Sequence, residues 1–412
     1  MPDHPDPPGA VPPRPARWPL ALLGVLAVVA LVASVVLVRG ASSGDEALDP
    51  PGRSGSEEAA DQEPATEEEI EAAVAEISAF VEQETGLSFV EPVTVELAGE
   101  GEFQDRLLAD FDEDVEDLRT TEVVLEALGL VDPEVDVVEA MRSLLGGGVV
   151  GFYDPETDEL VVRGAALTPY VRSTIAHELV HALDDQHHDL DRPEYDDRPD
   201  EISFGFSALV EGHARRIESA YLESLGDEAM ADALAEELAI GTDIDFSGVP
   251  MVLFDLISAP YVLGEPFVDA VLADGGQEAL VAAFADPPTT TEQVLDPDRY
   301  LAREAAIDVP TPTVPGEPVD EGMIGQLLVR LVLGEELDRD EARAAAEGWG
   351  GDMAVAWRDG ERACVTATLV GDDVRETEEL RQAFERWAAA QPDARVEPTG
   401  GGGPFTLVSC AA

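Results

Sequence analysis

The apolar positions of the chain recur with two different periods, and this mixture predicts an α+β fold. Spacings of three and four residues are typical of the buried face of a helix, whereas alternation is typical of a half-buried strand. Helical spacing predicts helices over 67–83, 102–144, 169–186, 203–224, 322–347 and 377–389, the second stretch being interrupted at Gly129 and Pro133. Alternation and short apolar runs predict strands at 93–97, 149–153, 160–162, 354–357, 363–370 and 405–410.

A predicted hairpin stands directly before one of these helices. Its two arms, 149–153 and 160–162, are joined by the turn-forming sequence Asp-Pro-Glu-Thr-Asp. Thr168 then offers an N-cap and Pro169 suits the first helical position, so a helix is predicted to begin there.

An uncharged apolar run near the N-terminus predicts a membrane span over residues 18–38. From Leu20 to Val38 the run would form a helix of about 28 Å, close to the hydrocarbon thickness of a bilayer. A proline-rich tail, 1–17, precedes the span, and a flexible acidic linker, 39–63, follows it. We therefore expect contact with a lipid bilayer through a single transmembrane helix.

The orientation of this span is predicted from the short basic segment before it. Arg14 and Arg17 precede the span, and a short basic N-terminus usually stays in the cytoplasm. The body of the protein is then extracytoplasmic at the cell membrane. The run is longer than the apolar core of most signal peptides, which favours an uncleaved signal-anchor, although cleavage near Gly40 or Ser43 is an open alternative.

The rest of the chain is predicted to fold in two parts. Residues 64–308 are long enough for a sizeable core, and residues 322–412 form a smaller α+β region. Between them, residues 309–321 are proline-rich and predict a linker.

Composition adds a strong acidic bias. The chain contains 88 acidic and 24 basic residues, for a formal net charge of -64. Such a surface repels phosphates, so nucleic acid is excluded as a partner. A saline habitat and a coding bias both produce this composition, and neither specifies a reaction.

Cys364 and Cys410 are the two cysteines of the chain, and both lie in strand-like apolar stretches. An extracytoplasmic location would favour a disulfide between them. Two buried free thiols are the alternative.

The chemistry is concentrated in the predicted helix over 169–186, which contains His177-Glu178-Leu179-Val180-His181. Positions i and i+4 share one face of a helix, so both imidazoles can reach the same metal ion. Glu178 follows the first histidine and is placed to hold a water on that metal. The other positions of this helix are mostly apolar, and burying unpartnered histidines there would be costly. The pattern therefore predicts one zinc ion.

A catalytic zinc usually has three protein ligands and one position for water. Glu211 is the predicted third ligand, because it is a carboxylate inside the apolar helical stretch Ala-Leu-Val-Glu-Gly. His213 is the rival, but it lies about 200° around the same helix and cannot easily face the same ion.

Other residues are candidates for supporting roles. Asp185 lies one turn after His181 and could orient a liganding imidazole, although a solvent-exposed cap is equally consistent. Tyr261 is a candidate oxyanion donor, with Tyr153 and His213 as alternatives and ordinary packing as the more common role of a tyrosine. His187 and His188 follow the predicted helix and are expected to be exposed or to form a minor second metal site.

At these residues the chain resembles the gluzincin branch of the zincin metallopeptidases. The resemblance implies a zincin-like fold, with His177, His181 and Glu211 as zinc ligands and Glu178 as general base. In many gluzincins an acid one turn after the glutamate ligand orients a histidine, but that position here is Arg215.

The chain is more specifically similar to an uncharacterised bacterial group of metallopeptidases recognised only from sequence. That group shares a HELVHALxDQ helix, an ALVEGxA segment and a Pro-Pro-[Ser/Thr]-Thr-Glu-Gln stretch, which is Pro287–Gln293 here. The similarity covers about residues 148–300 and, more weakly, 348–352. The gluzincin resemblance also implies a strand that binds extended substrate beside the zinc, and Leu160–Arg163 is the expected one.

These observations favour a membrane-anchored zinc metallopeptidase acting on peptide or protein substrates. One alternative is a membrane-tethered binding or scaffold protein with a structural zinc, which a fourth ligand from His213 would support. Another is a zinc amidase acting on cell-wall peptide, which would use the same activated water.

Overall fold

The structure is a computed structural model. It describes residues 64–411, apart from 110, 114, 197, 244–247, 399 and 401, together with the backbone of Leu26–Val29. The tail over 1–17, the linker over 39–63 and all but four residues of the span over 18–38 lie outside the described residues. The four described residues of the span, Leu26–Val29, form a strand where a helix was expected. With the rest of the span undescribed, the membrane span stays a prediction, and as a transmembrane helix it would not supply this strand.

The described chain is a mixed α+β structure with two sheets, in agreement with the predicted class. The helices are α1 (Glu67–Thr85), α2 (Glu100–Leu107), α3 (Val115–Ala127), α4 (Val137–Gly148), α5 (Pro169–His188), α6 (Pro193–Asp196), α7 (Ile202–Leu225), α8 (Asp227–Asp243), α9 (Met251–Ala285), α10 (Thr291–Leu295), α11 (Pro297–Leu301), α12 (Gly325–Gly334), α13 (Arg339–Ala346) and α14 (Val374–Ala390). The strands are β1 (Leu26–Val29), β2 (Val95–Ala98), β3 (Val149–Asp154), β4 (Glu159–Arg163), β5 (Glu317–Gly322), β6 (Trp349–Asp359), β7 (Arg362–Gly371), β8 (Arg395–Pro398) and β9 (Phe405–Cys410).

The first sheet has the strand order β1-β3-β4-β2. The predicted hairpin forms its centre, because β3 and β4 pair antiparallel across the turn. On the other side of β4, β2 pairs in parallel, while β1 pairs antiparallel with the outer edge of β3. The strand β4 is therefore an interior strand of this sheet.

Helix α5 packs against one face of this sheet. Thr168 begins the helix, and its Oγ1 accepts a hydrogen bond of 3.1 Å from the backbone N–H of Val171. Pro169 occupies the first turn, where a missing N–H has no cost. The apolar side chains of α5 join those of α1, α7 and the sheet in one core cluster, which leaves the polar side chains of α5 buried among them.

Helices α7 and α9 approach each other unusually closely at two glycines. A Cβ on Gly212 would lie 2.2 Å from the carbonyl carbon of Gly264, which no side chain tolerates. Gly205 near the start of α7 makes a similar contact, since its Cβ would lie 2.1 Å from the carbonyl oxygen of Pro288. These contacts fix how α7 lies relative to its neighbours.

Helix α9 is long and apolar enough to cross a membrane by length and composition. The same properties belong to core helices of soluble proteins, and 67% of its most apolar window is buried in the fold. The helix is also interrupted at Gly276, whose φ of 63° and ψ of -154° are not helical.

The second sheet has the order β5-β6-β7-β9-β8, with antiparallel pairing throughout. Cys364 on β7 and Cys410 on β9 stand directly opposite each other and are joined by a disulfide.

The core is continuous between the two parts that the sequence suggested. Helix α3 from the N-terminal part packs against β7, and one cluster of buried apolar residues includes α3, α7, α9, α12, α14 and the second sheet. The proline-rich segment joins two halves that share this core.

Candidate metal centre

Two histidines of α5 and one glutamate of α7 converge below the first sheet. Nε2 of His177 lies 3.1 Å from Oε2 of Glu211, and Nε2 of His181 lies 3.4 Å from the same oxygen. The potential ligand atoms of these three residues lie within 4.8 Å of one another. All three residues are buried, with exposures of 0%, 0% and 3% for His177, His181 and Glu211.

The arrangement of hydrogen bonds shows that this group fits a metal ion. Oε2 of Glu218 lies 3.0 Å from Nδ1 of His177, so Nδ1 donates to that carboxylate. In the neutral form that metal binding requires, the imidazole carries a lone pair on Nε2, and Nε2 faces an oxygen of Glu211. His181 adds a second Nε2 toward the same oxygen, and neither of its ring nitrogens has a hydrogen bond within the described residues. A cation between the three atoms satisfies all of them.

The electrostatics of the group follow from burial and from these contacts. Burial by itself lowers the pKa of His177, but hydrogen bonds and charges from Glu211 and Glu218 raise it to about 9. Burial dominates at His181 and lowers its pKa. Burial favours the neutral form of Glu211, yet the two imidazoles lower the pKa of its carboxyl to about 2. Glu211 is therefore an anion, as a metal ligand must be.

Glu218 contacts this group and was not predicted from the sequence. It lies two turns after Glu211 on the same face of α7 and holds Nδ1 of His177, a contact that many gluzincins make from the position of Arg215. Nη1 of Arg215 donates to Oε2 of Glu218 at 2.8 Å. Burial raises the pKa of Glu218, but Arg215 and His177 outweigh burial and lower it. A search at i+7 as well as i+4 from Glu211 would have found this residue.

The carboxylate of Glu178 lies against strand β3. It is fully buried, and a Cβ on Gly151 would lie 2.7 Å from its Oε1 and 2.7 Å from Cγ2 of Thr174. Gly151 therefore leaves the space that the Glu178 carboxylate occupies.

Tyr261 on α9 contacts the predicted third ligand directly. Its hydroxyl donates to Oε1 of Glu211 at 2.9 Å, and its ring stacks on that of His177 with centroids 6.3 Å apart. Burial and the Glu211 charge raise the pKa of the phenol, so it is a hydrogen-bond donor at neutral pH. The structure brings the candidate oxyanion donor to this site.

The structure places two other candidates outside the donor group. Oδ2 of Asp185 accepts from the hydroxyl of Tyr153 at 2.8 Å, and Oδ1 accepts from the N–H of Leu190 at 2.8 Å. Asp185 therefore contacts Tyr153 and the helix end rather than an imidazole of the site. The hydroxyl of Tyr153 is engaged by the same contact with Asp185.

The remaining histidines have other partners. Nδ1 of His213 lies 2.7 Å from Oδ2 of Asp184, and both residues are buried. His187 Nε2 lies 2.9 Å from the carbonyl oxygen of Ser88, and His188 stacks on Phe284 with centroids 4.2 Å apart. Within the described residues, the group of three donors includes none of these histidines.

The expectation that Leu160–Arg163 binds extended substrate is wrong. These residues form most of β4, which pairs with β3 on one side and with β2 on the other. Its backbone N–H and C=O groups are used in the sheet, so no edge is left for a substrate strand. Strand β3, beside Glu178, is the outer member of the hairpin and pairs on its far side with Leu26–Val29.

Comparisons with known proteins give little family information. A family model for a domain of unknown function (DUF8575) matches residues 311–407, which is less than half of the chain. The crystal structure of a candidate hydrolase with a novel fold from Chloroflexus aurantiacus is similar, with a TM-score of 0.39 and 16% identity over 70% of this chain and 98% of that chain. A likeness at this TM-score supports no argument about activity. No curated protein matches the chain. The gluzincin resemblance therefore rests on the motif and the donor group.

Proposed function

We propose that the protein is a zinc-dependent metallopeptidase anchored to the cell membrane. The observation that carries this proposal is the convergence of His177, His181 and Glu211, all buried, with the equally buried Glu178 next in sequence to His177. Two imidazoles and one carboxylate form the ligand set of many catalytic zinc sites and leave a position for water.

The chemistry of peptide hydrolysis assigns a role to each residue around this group. A zinc ion bound there would lower the pKa of a bound water and polarise the scissile carbonyl. Glu178 accepts the proton of the attacking water and later delivers it to the leaving amine. Glu218 holds His177 in the orientation that directs Nε2 toward the donor group. The hydroxyl of Tyr261 donates its one hydrogen to Oε1 of Glu211 and so orients that ligand, and it would have to release Glu211 to donate to a developing oxyanion.

The location of the proposed enzyme follows from the N-terminal sequence. The apolar run over residues 18–38 would serve as a single-pass signal-anchor, with the catalytic part outside the cytoplasm. The disulfide between Cys364 and Cys410 suits that compartment, because disulfides persist where the environment is oxidising. Peptide or protein substrates would meet the enzyme at the membrane surface.

The contacts of His213 disfavour a structural zinc. A structural site usually has four protein ligands, and His213 was the candidate for the fourth. Its Nδ1 is paired with Asp184, and the donor group does not include it. A scaffold also has no use for the fully buried carboxylate of Glu178, which is next in sequence to His177.

The decisive experiment combines metal content with hydrolysis. Glu178→Gln should keep about one zinc per chain and lose 10²–10⁴-fold in hydrolysis of a fluorogenic peptide library, because the general base is removed. Glu223→Gln, an exposed position on α7, is the matched control and should keep both properties. Full hydrolysis by Glu178→Gln, or wild-type hydrolysis that survives chelation, would contradict the proposal. Hydrolysis of a cell-wall peptide amide but not of the library would instead identify the amidase.

A further inference from the structure

The N-cap residue of α7 uses its side chain in an unusual way. Glu201 is the N-cap residue of this helix, and an N-cap side chain normally accepts a hydrogen bond from its own first turn. Its carboxylate makes no such bond. Oε2 instead accepts from the backbone N–H of Thr291 at 2.8 Å and from its hydroxyl at 3.1 Å.

Thr291 connects this carboxylate to the C-terminal region. Its Oγ1 accepts a hydrogen bond of 3.1 Å from the N–H of Leu327 on α12. Gly325, with a φ of 73°, lies against Glu201, and a Cβ there would be 1.9 Å from Oε1. From the other side, the carboxylate of Asp352 accepts from the N–H of Ile324 at 2.7 Å and from that of Gly325 at 3.0 Å. The N-terminal ends of α7, α10 and α12 therefore meet at Glu201.

Burying the carboxylate of Glu201 costs free energy that a residue with only an N-cap role would not require. Glu201 is 2% exposed, and its Oε1 has no hydrogen bond within the described residues. Burial raises the pKa of the Glu201 carboxyl, with a contribution from Asp352, against the effect of Thr291. A serine or aspartate at this position would cap α7 locally and would not require a long buried side chain.

Glu201 begins the helix, α7, that also supplies Glu211 to the donor group. Glu211 lies ten residues further along, about 15 Å from Glu201 along the helix axis. Between them, the close contacts of Gly205 with Pro288 and of Gly212 with Gly264 prevent the helix from rotating or sliding without a clash. The hydrogen bonds between Glu201 and Thr291 hold the N-terminal end of the same helix in place.

We infer that Glu201 is a positioning residue for the metal centre. It ties the helix that supplies Glu211 to the segment Pro287–Gln293 and to the C-terminal region, and so sets the distance of Glu211 from the two histidines. The inference rests on the proposed metal site. In this interpretation the C-terminal region over residues 311–407, which matches a domain of unknown function, helps to hold Glu211 in place.

Metal affinity of the full chain tests this inference without reference to activity. Competition with a chromophoric chelator gives the zinc affinity, and the visible spectrum of the Co²⁺ form reports ligand geometry. Glu201→Ala should bind zinc about tenfold more weakly than wild type at a temperature where the variant is folded. Glu201→Gln should keep near wild-type affinity, because its amide oxygen still accepts from Thr291.

A control separates positioning from general stability. Leu380→Ala removes a fully buried side chain of α14 and should lower Tm while leaving zinc affinity unchanged. Equal zinc affinities for wild type, Glu201→Ala and Leu380→Ala would overturn the inference. If Glu201→Ala does not fold, Glu201→Asp decides, because the shorter carboxylate would cap α7 locally instead of reaching Thr291. Weaker zinc binding by Glu201→Asp would support the inference, and unchanged binding would refute it. Wild-type protein that binds no metal would instead contradict the proposed function itself.

Discussion

The helix pair α5 and α7 and the C-terminal sheet both bury polar side chains, but they satisfy them differently. In the sheet region, Asp352 accepts from two backbone N–H groups and from the indole N–H of Trp349 at 2.7 Å. Thr366 likewise accepts from Trp357 at 3.0 Å. In the helix pair, Nε2 atoms of two histidines face one carboxylate oxygen. The contacts of Asp352 and Thr366 are complete within the chain and indicate architecture, whereas two imidazoles facing one carboxylate fit a cation and indicate chemistry.

The largest expected effect is the loss of the metal in His181→Leu. Zinc content should fall from about one ion per chain to close to none, because two donors do not hold a catalytic zinc. Atomic absorption measures the zinc content. If His181→Leu retained its zinc, the helix pair would not differ from the C-terminal sheet in holding a metal through its buried polar side chains.

Removing the disulfide of the C-terminal sheet should change stability and leave zinc content unchanged. Cys364→Ala combined with Cys410→Ala opens a loop with a sequence separation of 46 and should lower the free energy of unfolding by about 2–4 kcal/mol. Zinc content should not change, because these cysteines are remote in sequence from the donors and do not belong to their group. Denaturant unfolding and metal analysis of the same samples check both statements, and loss of zinc together with stability would show that the regions are not separable.

An intermediate effect is expected at Glu218, which contacts a ligand and not the metal. Glu218→Gln weakens the hold on Nδ1 of His177 and should reduce zinc affinity about 10–100-fold. Chelator competition measures this change, with Glu223→Gln as the control on the same helix. An affinity equal to that of wild type would mean that His177 is oriented by packing alone.

The smallest effect concerns pH and a buried acid of β5. Burial, with nearby Asp117 and Glu321, raises the pKa of Asp320 from 3.8 to about 7. The folded state therefore holds a proton that the unfolded chain releases, and this contribution to stability is present below pH 4 and is lost as pH rises through about 7. Asp320→Asn should remove that dependence, so that wild type loses a few degrees of Tm relative to the variant between pH 4 and 8. Parallel thermal melting curves would contradict the assignment.

The sequence predicted elements where the local signal was strong. The Thr168–Pro169 start placed α5 correctly, and the apolar run at 405–410 is β9 as predicted. No elements were predicted between α7 and the linker, because α9 is apolar over most of its surface and shows no helical face. Strands β5 and β8 were missed for the opposite reason: they are rich in polar residues and are strands through pairing with β6 and β9.

The candidate site shows the same division between local and long-range information. The spacing of His177 and His181 is local, and the structure brings Glu211 to both of them as the resemblance implied. The role of Glu218 depends on how α7 lies across α5, which the sequence does not encode locally. The error about β4 has the same origin, because the order of strands in the sheet depends on the distant strand β2.

The apolar core that α3 shares with β7 has a practical consequence for handling this protein. A protease that cuts the exposed, proline-rich segment near residues 311–313 would break the chain without separating the pieces, because the two fragments remain joined by buried apolar surface. The nicked protein would elute from a sizing column as one particle and would appear as two bands only after denaturation. Either fragment produced alone would expose that surface to water and would be prone to aggregate.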